Sequence, residues 1–170
     1  MTIVSTSIQL REMQVTDLAQ VVALEEEVYA QPWSEGIFRD ELAQPDRIYL
    51  VAAAAGGLLG YGGLMLVDGD AHVTTLAVAA RSRKRGLGTL LLLHLVERGV
   101  AAGAANLTLE VRASNVTAQR MYERFGMSAV GLRKHYYRDD DAVIMWATEI
   151  DQPEYRERLD AIRRRVEETS

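Results

Sequence analysis

From Leu50 to Val67 the chain carries no charged side chain, and Gly56, Gly57, Gly60, Gly62 and Gly63 punctuate the run. As a helix it would be about long enough to cross the hydrocarbon core of a bilayer. The glycines oppose a helix, because each raises the backbone entropy that folding must remove. Two buried strands joined by a glycine turn satisfy both the apolarity and the glycines. The run therefore predicts a hairpin of Ile48 to Ala54 with Leu58 to Val67, and no membrane span. Turn-prone Asp68-Gly69-Asp70 then feeds a third strand from Ala71 to Val78, which completes an antiparallel meander.

The remaining elements order themselves around that meander. Ile8 to Arg11 reads as a first strand. Thr16 or Asp17 is a candidate cap for a helix through about Tyr29, and Ser34 for a second through about Leu42. Gly86 to about Val100 has the apolar face of a packed helix, and Leu107 to Val111 alternates apolar residues with Thr108 and Glu110. Ser114 or Asn115 caps a further helix that Gly126 ends, and strands near Met127 to Leu132 and Ala142 to Glu149 flank Asp139-Asp140-Asp141. A crossover inside a meander implies a mixed sheet, an α/β (α+β) architecture. Residues 1–150 form the domain; residues 151–170 add a charged helix with Tyr155, Leu159, Ile162 and Val166 on one stripe, able to dock on the domain or on a protein partner.

At 170 residues, 48% hydrophobic and 25% charged, the chain suits one folded domain with one active site. A net charge of -5 disfavours direct binding to a nucleic-acid backbone. Without cysteine there is no disulfide or thiolate nucleophile, and the three histidines, His72, His94 and His135, are far apart, so no metal site is expected. His72 and His94 read as packing or surface residues. Nothing in Met1 to Arg11 has the pattern of a signal peptide, so a cytoplasmic location is the expectation.

Between the strand ending at Val78 and the following helix lies Arg83-Lys84-Arg85-Gly86-Leu87-Gly88. A helix N-terminus presents unpaired N–H groups and a positive dipole end, and glycine lets an anion approach the main chain. The position suits phosphate. The GxGxxG spacing of dinucleotide folds is missing, since Leu91 stands where its last glycine belongs, and no Gly-Lys-Ser/Thr ending marks a P-loop. Taken alone, the turn is equally a charged loop before a glycine-started helix.

This strand, turn and helix resemble motif A of the GNAT acetyltransferase superfamily, with its Q/R-x-x-G-x-G/A turn. The resemblance extends through Leu109-Glu110-Val111-Arg112-Ala113-Ser114-Asn115 and Met121-Tyr122-Glu123-Arg124-Phe125-Gly126-Met127. Pro32-Trp33-Ser34 and His135-Tyr136-Tyr137 with Asp141-Ala142-Val143-Ile144-Met145 narrow it to the RimI-like subgroup, which acetylates protein N-termini. The resemblance covers Leu10 to Ile150. It implies a mixed, mostly antiparallel sheet with helices on both faces, and acetyl-CoA as co-substrate. Leu76, Ala77 and Val78 would bind the pantetheine arm through their main chain. Arg83, Lys84, Arg85, Gly86, Leu87, Gly88 and Thr89 would hold the pyrophosphate, and Asn115 would contact the cofactor. The implied acceptor is the N-terminal alanine of small-subunit ribosomal protein eighteen.

By the same resemblance Glu110 is the general base, for which partial burial would suit it, and Tyr122 is the proton donor to the departing thiolate. An attacking amine must be neutral, which an α-amino group with a pKa of about 7.7 to 8.0 approaches more readily than a lysine near 10.4. The Val78 N–H could polarise the thioester carbonyl. Trp33, Tyr136 and Tyr137 are candidate walls of a peptide entrance. Each has an ordinary counterpart: Glu110 a solvated strand carboxylate, Tyr122 a core tyrosine, Asn115 a helix cap, Arg112 a partner for a carboxylate. Two other functions fit the same fold, namely acetylation of small amines or lysine side chains, and acetyl-CoA sensing without catalysis.

Overall fold

The computed structural model describes residues 7–83 and 85–169. Met1 to Thr6, Lys84 and Ser170 lie outside them. Among the described residues the strands form one seven-stranded sheet in the order β1-β2-β3-β4-β5-β7-β6. β1 is Gln9–Glu12, β2 Arg47–Ala54, β3 Gly57–Val67 and β4 Asp70–Val78. β5 is Asn106–Arg112, β6 Ser128–Arg133 and β7 Ala142–Ala147. β4 and β5 pair in parallel and every other neighbouring pair is antiparallel. The uncharged run is thus a hairpin, as its glycines require.

Helices cover both faces. On one side α1 (Leu18–Val28) and α2 (Glu35–Leu42) bury Leu18, Val21, Leu24 and Phe38 against Tyr49, Val51 and Tyr61. On the other, α3 (Leu87–Ala101), α4 (Val116–Arg124) and α5 (Pro153–Thr169) close over Leu64, Val73, Leu107 and Leu109. On α3, Leu91, Leu92, Leu93, Leu95 and Val96 are fully buried in the core that the helix shares with the sheet and α5.

Local chemistry accounts for the element ends. Ser34 Oγ accepts the Ile37 N–H at 3.3 Å, and Asn115 Oδ1 accepts the Ala118 N–H at 3.1 Å, two side-chain caps. The expected cap of α1 by Thr16 or Asp17 is not made. Asp17 instead ends a short 3-10 turn over Val15–Asp17, where its carboxylate accepts the Gln14 N–H at 2.7 Å and the Arg11 guanidinium at 2.8 and 2.9 Å. A charge-assisted fork with a side chain from β1 outcompetes a lone N–H at the helix start. β7 also stops at Ala147, short of Glu149, where the backbone turns to φ 55 and Ile150 donates to Ala105 O at 3.0 Å.

α5 docks on the domain. Tyr155, Leu159 and Ile162 are buried, the Tyr155 hydroxyl donates to Phe125 O at 2.6 Å, and Arg163 pairs with Glu97 of α3. The apolar stripe that could have met a partner is covered by the chain itself.

Two stability tests follow from these contacts. A Cβ at Gly63 would lie 2.2 Å from the Tyr49 ring, which Glu41 and Thr74 hold through the Tyr49 hydroxyl at 3.0 Å each. Gly63→Ala should therefore cost about 2 kcal/mol in urea unfolding, within the range for overpacked cores. The Arg11 guanidinium holds the Asp17 carboxyl below the usual carboxylate range. A depressed folded-state pKa contributes stability above the unfolded value of about 3.9 and loses it as the pH falls through the folded value. Asp17→Asn should cost on the order of 1 kcal/mol at pH 7, with the gap to wild type closing toward pH 3.

Candidate active site

The central geometric event lies between β4 and β5. Their pairing covers only Asp70, Ala71 and His72 against Asn106, Leu107 and Thr108. Beyond that point β4 follows β3 as far as Val78, and β5 follows β7 as far as Arg112. The strands diverge into a fork. On β4, Ala79 N–H donates to Leu59 O at 2.8 Å and the Ala77 carbonyl lies against Gly60, so Ala77 and Ala79 turn their peptide groups toward β3. Alternation then turns the main chain of Leu76 and Val78 toward the fork. Of the three residues expected to offer their backbone, Leu76 and Val78 face the gap, whereas the Ala77 backbone is engaged with β3.

At the wide end of the fork stands the start of α3. Its first main-chain bond runs from Leu90 N–H to Gly86 O at 2.9 Å, which leaves the N–H groups of Leu87, Gly88 and Thr89 at the open helix end. Gly86 takes φ 74, a left-handed conformation that a side chain would strain. Arg83 and Arg85 are exposed beside it, with Arg83 Nε donating to Val78 O at 3.4 Å. A phosphate-sized anion fits this set of donors.

Across the fork, the side chains of Glu110 and Tyr122 come from opposite faces of the sheet. Leu109, Val111 and Tyr122 share the core beneath α3 and α4, so Glu110, between the first two, projects from the α1 face. His72, between buried Ala71 and Val73, projects likewise, and its Nε2 lies 2.7 Å from Glu110 Oε2. His72 is thus neither core filler nor solvated surface. The Glu110 side chain is 15% exposed, and Arg133 reaches to 3.9 Å from its other oxygen. Burial pushes the Tyr122 phenol well above the ordinary tyrosine range, and the nearby phenols of Tyr29 and Tyr137 add to this.

Tyr137 is pushed up to about 12, by burial first and then by Tyr136, with Glu110 and Tyr29 adding and Arg112 opposing. It stacks edge-on with half-exposed Tyr136 at 5.1 Å, and the Arg112 guanidinium lies 4.4 Å above its ring. Arg112 also pairs with Asp139 at 2.6 Å, the carboxylate partner expected for it. Asp140 accepts both the N–H and the hydroxyl of Ser114, so the aspartate loop ties the Tyr136-Tyr137 segment to the start of α4. Asn115 Oδ1 is engaged as the α4 cap.

Two further residues, Tyr29 and Glu25, shape the site without any local sequence pattern to mark them. The Tyr29 hydroxyl donates to Leu76 O at 2.8 Å, closing the α1 side of the fork. Buried Glu25 accepts the Trp33 N–H at 2.9 Å and the Tyr61 hydroxyl, which pins the loop carrying Trp33 beside Phe38. Among the described residues no group of His, Asp and Glu could hold a metal ion, and no helix is long and apolar enough to cross a membrane.

Known proteins share this arrangement. The Acetyltransferase (GNAT) family model matches residues 18–127. A candidate [ribosomal protein bS18]-alanine N-acetyltransferase from Bacillus subtilis (strain 168) is 39% identical, over 84% of this chain and 97% of its own length. The [ribosomal protein bS18]-alanine N-acetyltransferase of Escherichia coli (strain K12) is 32% identical, over 80% of this chain and 94% of its own. The crystal structure of the Escherichia coli ribosomal-protein-S18-alanine N-acetyltransferase superposes with a TM-score of 0.78, covering 84% of this chain and 94% of that one. The forked sheet, the glycine turn at the head of α3 and these relatives agree: the chain belongs to the GNAT family of acetyltransferases.

Proposed function

We propose that the chain is a protein N-α-acetyltransferase that uses acetyl-CoA and acts on the N-terminal alanine of ribosomal protein bS18. The observation that carries the reading is the fork beyond His72 and Thr108, with the Glu110 carboxylate on one face and the Tyr122 phenol on the other. The acceptor follows from the relatives, whose names assign them bS18-alanine acetylation. The Leu76 and Val78 main chain would hold the pantetheine arm as an added strand, and the N–H groups at the head of α3 the pyrophosphate.

Glu110 takes a proton from the incoming amine, directly or through a water, while His72 steadies its other oxygen. The Val78 N–H donates to the thioester carbonyl oxygen as charge develops there. Tyr122 returns a proton to the departing sulfur, whose thiol has a pKa near that of cysteine, about 8.5. Amine nitrogen joins the acetyl carbon as the carbon–sulfur bond breaks, so no covalent enzyme intermediate is required. Trp33, Tyr136 and Tyr137 line the route by which a chain end would enter.

The mechanism makes three kinetic demands. Glu110→Gln should lower kcat by about 10² to 10⁴ with coenzyme affinity unchanged, and Tyr122→Phe should likewise impair turnover; a wild-type rate in either removes that residue's role. Because its pKa is raised, Tyr122 keeps its proton at and above the ordinary tyrosine value of about 10. The kcat profile should therefore show no falling limb below pH 10 that disappears in Tyr122→Phe. With labelled acetyl-CoA, peptides starting with Ala should be acetylated, while an N-terminally blocked peptide retaining its lysines should not. Transfer to the blocked peptide or to small amines alone would contradict the assignment.

A further inference from the structure

α5 begins well beyond residue 127, where the family match ends, and it does more than cover α3. Along its length a cavity of about 630 Å³ opens between α5, the last residue of α4 and the first turn of α3. Gly86 and Thr89 of the phosphate-binding turn form one end of it. This volume falls within the usual span of small-molecule sites, about 300 to 1,000 Å³.

Its walls have a definite chemistry. Three arginines, Arg124, Arg158 and Arg165, line one cavity on a chain of net charge -5, so the cluster is not a reflection of a basic surface. Arg158 Nη1 donates to Arg124 O at 3.1 Å and its side chain lies across Gly126, which ties α5 to the end of α4. Ala161 and Ile162 supply an apolar floor of the kind a flat heteroaromatic ring covers. Glu154 and Glu157 also line the cavity. They disfavour a ligand that is only anionic and offer acceptors to an exocyclic amino group.

We propose that α5 completes a site for the 3′-phosphorylated adenosine end of acetyl-CoA, with Arg158 and Arg165 binding the 3′-phosphate and Ala161 and Ile162 facing the base. The proposal rests on the acetyl-CoA reading above and adds to it a specificity element outside the family segment. Continuity supports this occupant: a pyrophosphate at the N–H groups of Leu87 to Thr89 delivers the nucleoside to the cavity that Gly86 and Thr89 border. Guanidinium is the side chain best matched to a phosphate monoester, through paired parallel donors.

Calorimetric titration of the full-length protein with CoA, dephospho-CoA and adenosine 3′,5′-bisphosphate tests it. Wild type should bind CoA about tenfold or more tightly than dephospho-CoA, the scale of one lost charge-assisted contact. Arg165→Ala and Arg158→Ala should each weaken CoA and the bisphosphate while leaving dephospho-CoA affinity unchanged, so that the preference for the 3′-phosphate collapses. Equal losses for CoA and dephospho-CoA, or no loss in folded variants, overturn the proposal while leaving the acetyl-CoA reading intact. If wild type binds none of the three, that reading fails and the proposal with it. Should Arg158→Ala not fold for want of its tie to Arg124, Arg165→Ala alone decides the comparison.

Discussion

The separation of two parallel strands governs this molecule. Buried peptide groups must find hydrogen-bond partners, and a sheet normally supplies them along a whole strand. Here β4 and β5 share three residue pairs and then part, which leaves one edge of β4 without a neighbouring strand in the middle of the domain. Such an edge is costly unless something occupies it or water reaches it. The fork is therefore both a weakness in the sheet and a place for an extended ligand.

Much of the surrounding structure serves to hold that opening. β3 grips the other edge of β4, and β7 grips β5, so each strand diverges on a firm partner. Tyr29 clasps the Leu76 carbonyl from α1, and α3 fills the space beneath with leucines while aiming its N-terminus at the mouth. Around the mouth, burial first and then their mutual electrostatic influence hold the phenols of Tyr29, Tyr122 and Tyr137 neutral, and Tyr137 lies close enough to Glu110 to feel its charge. α5 then borders the far end, where the turn at Gly86 opens onto a basic cavity.

The order of elements was legible because its signals are local: glycines within an uncharged run, hydroxyl and amide caps at Ser34 and Asn115, alternation about Glu110. What could not be read depended on distant partners. Asp17 looks like a helix cap until β1 brings Arg11 to it. His72 and Glu110 lie far apart along the chain, and only the parallel register makes them neighbours. Glu25 sits in the run Glu25-Glu26-Glu27, where nothing marks the one carboxylate that turns inward to Tyr61. The resemblance implies Leu76, Ala77 and Val78 together, and only the register with β3 shows which way each peptide group of β4 turns. The resemblance to GNAT motifs carried the chemistry further than residue patterns did, since Glu110 and Tyr122 are unremarkable without the fork.

The most direct test of the fork is amide hydrogen exchange followed residue by residue, with and without acetyl-CoA. Val78 and Leu76, together with Leu87, Gly88 and Thr89, should gain protection on binding, whereas Ala77 should be slow to exchange in both states. Protection that leaves these amides unchanged and falls elsewhere in the domain would contradict binding in the fork.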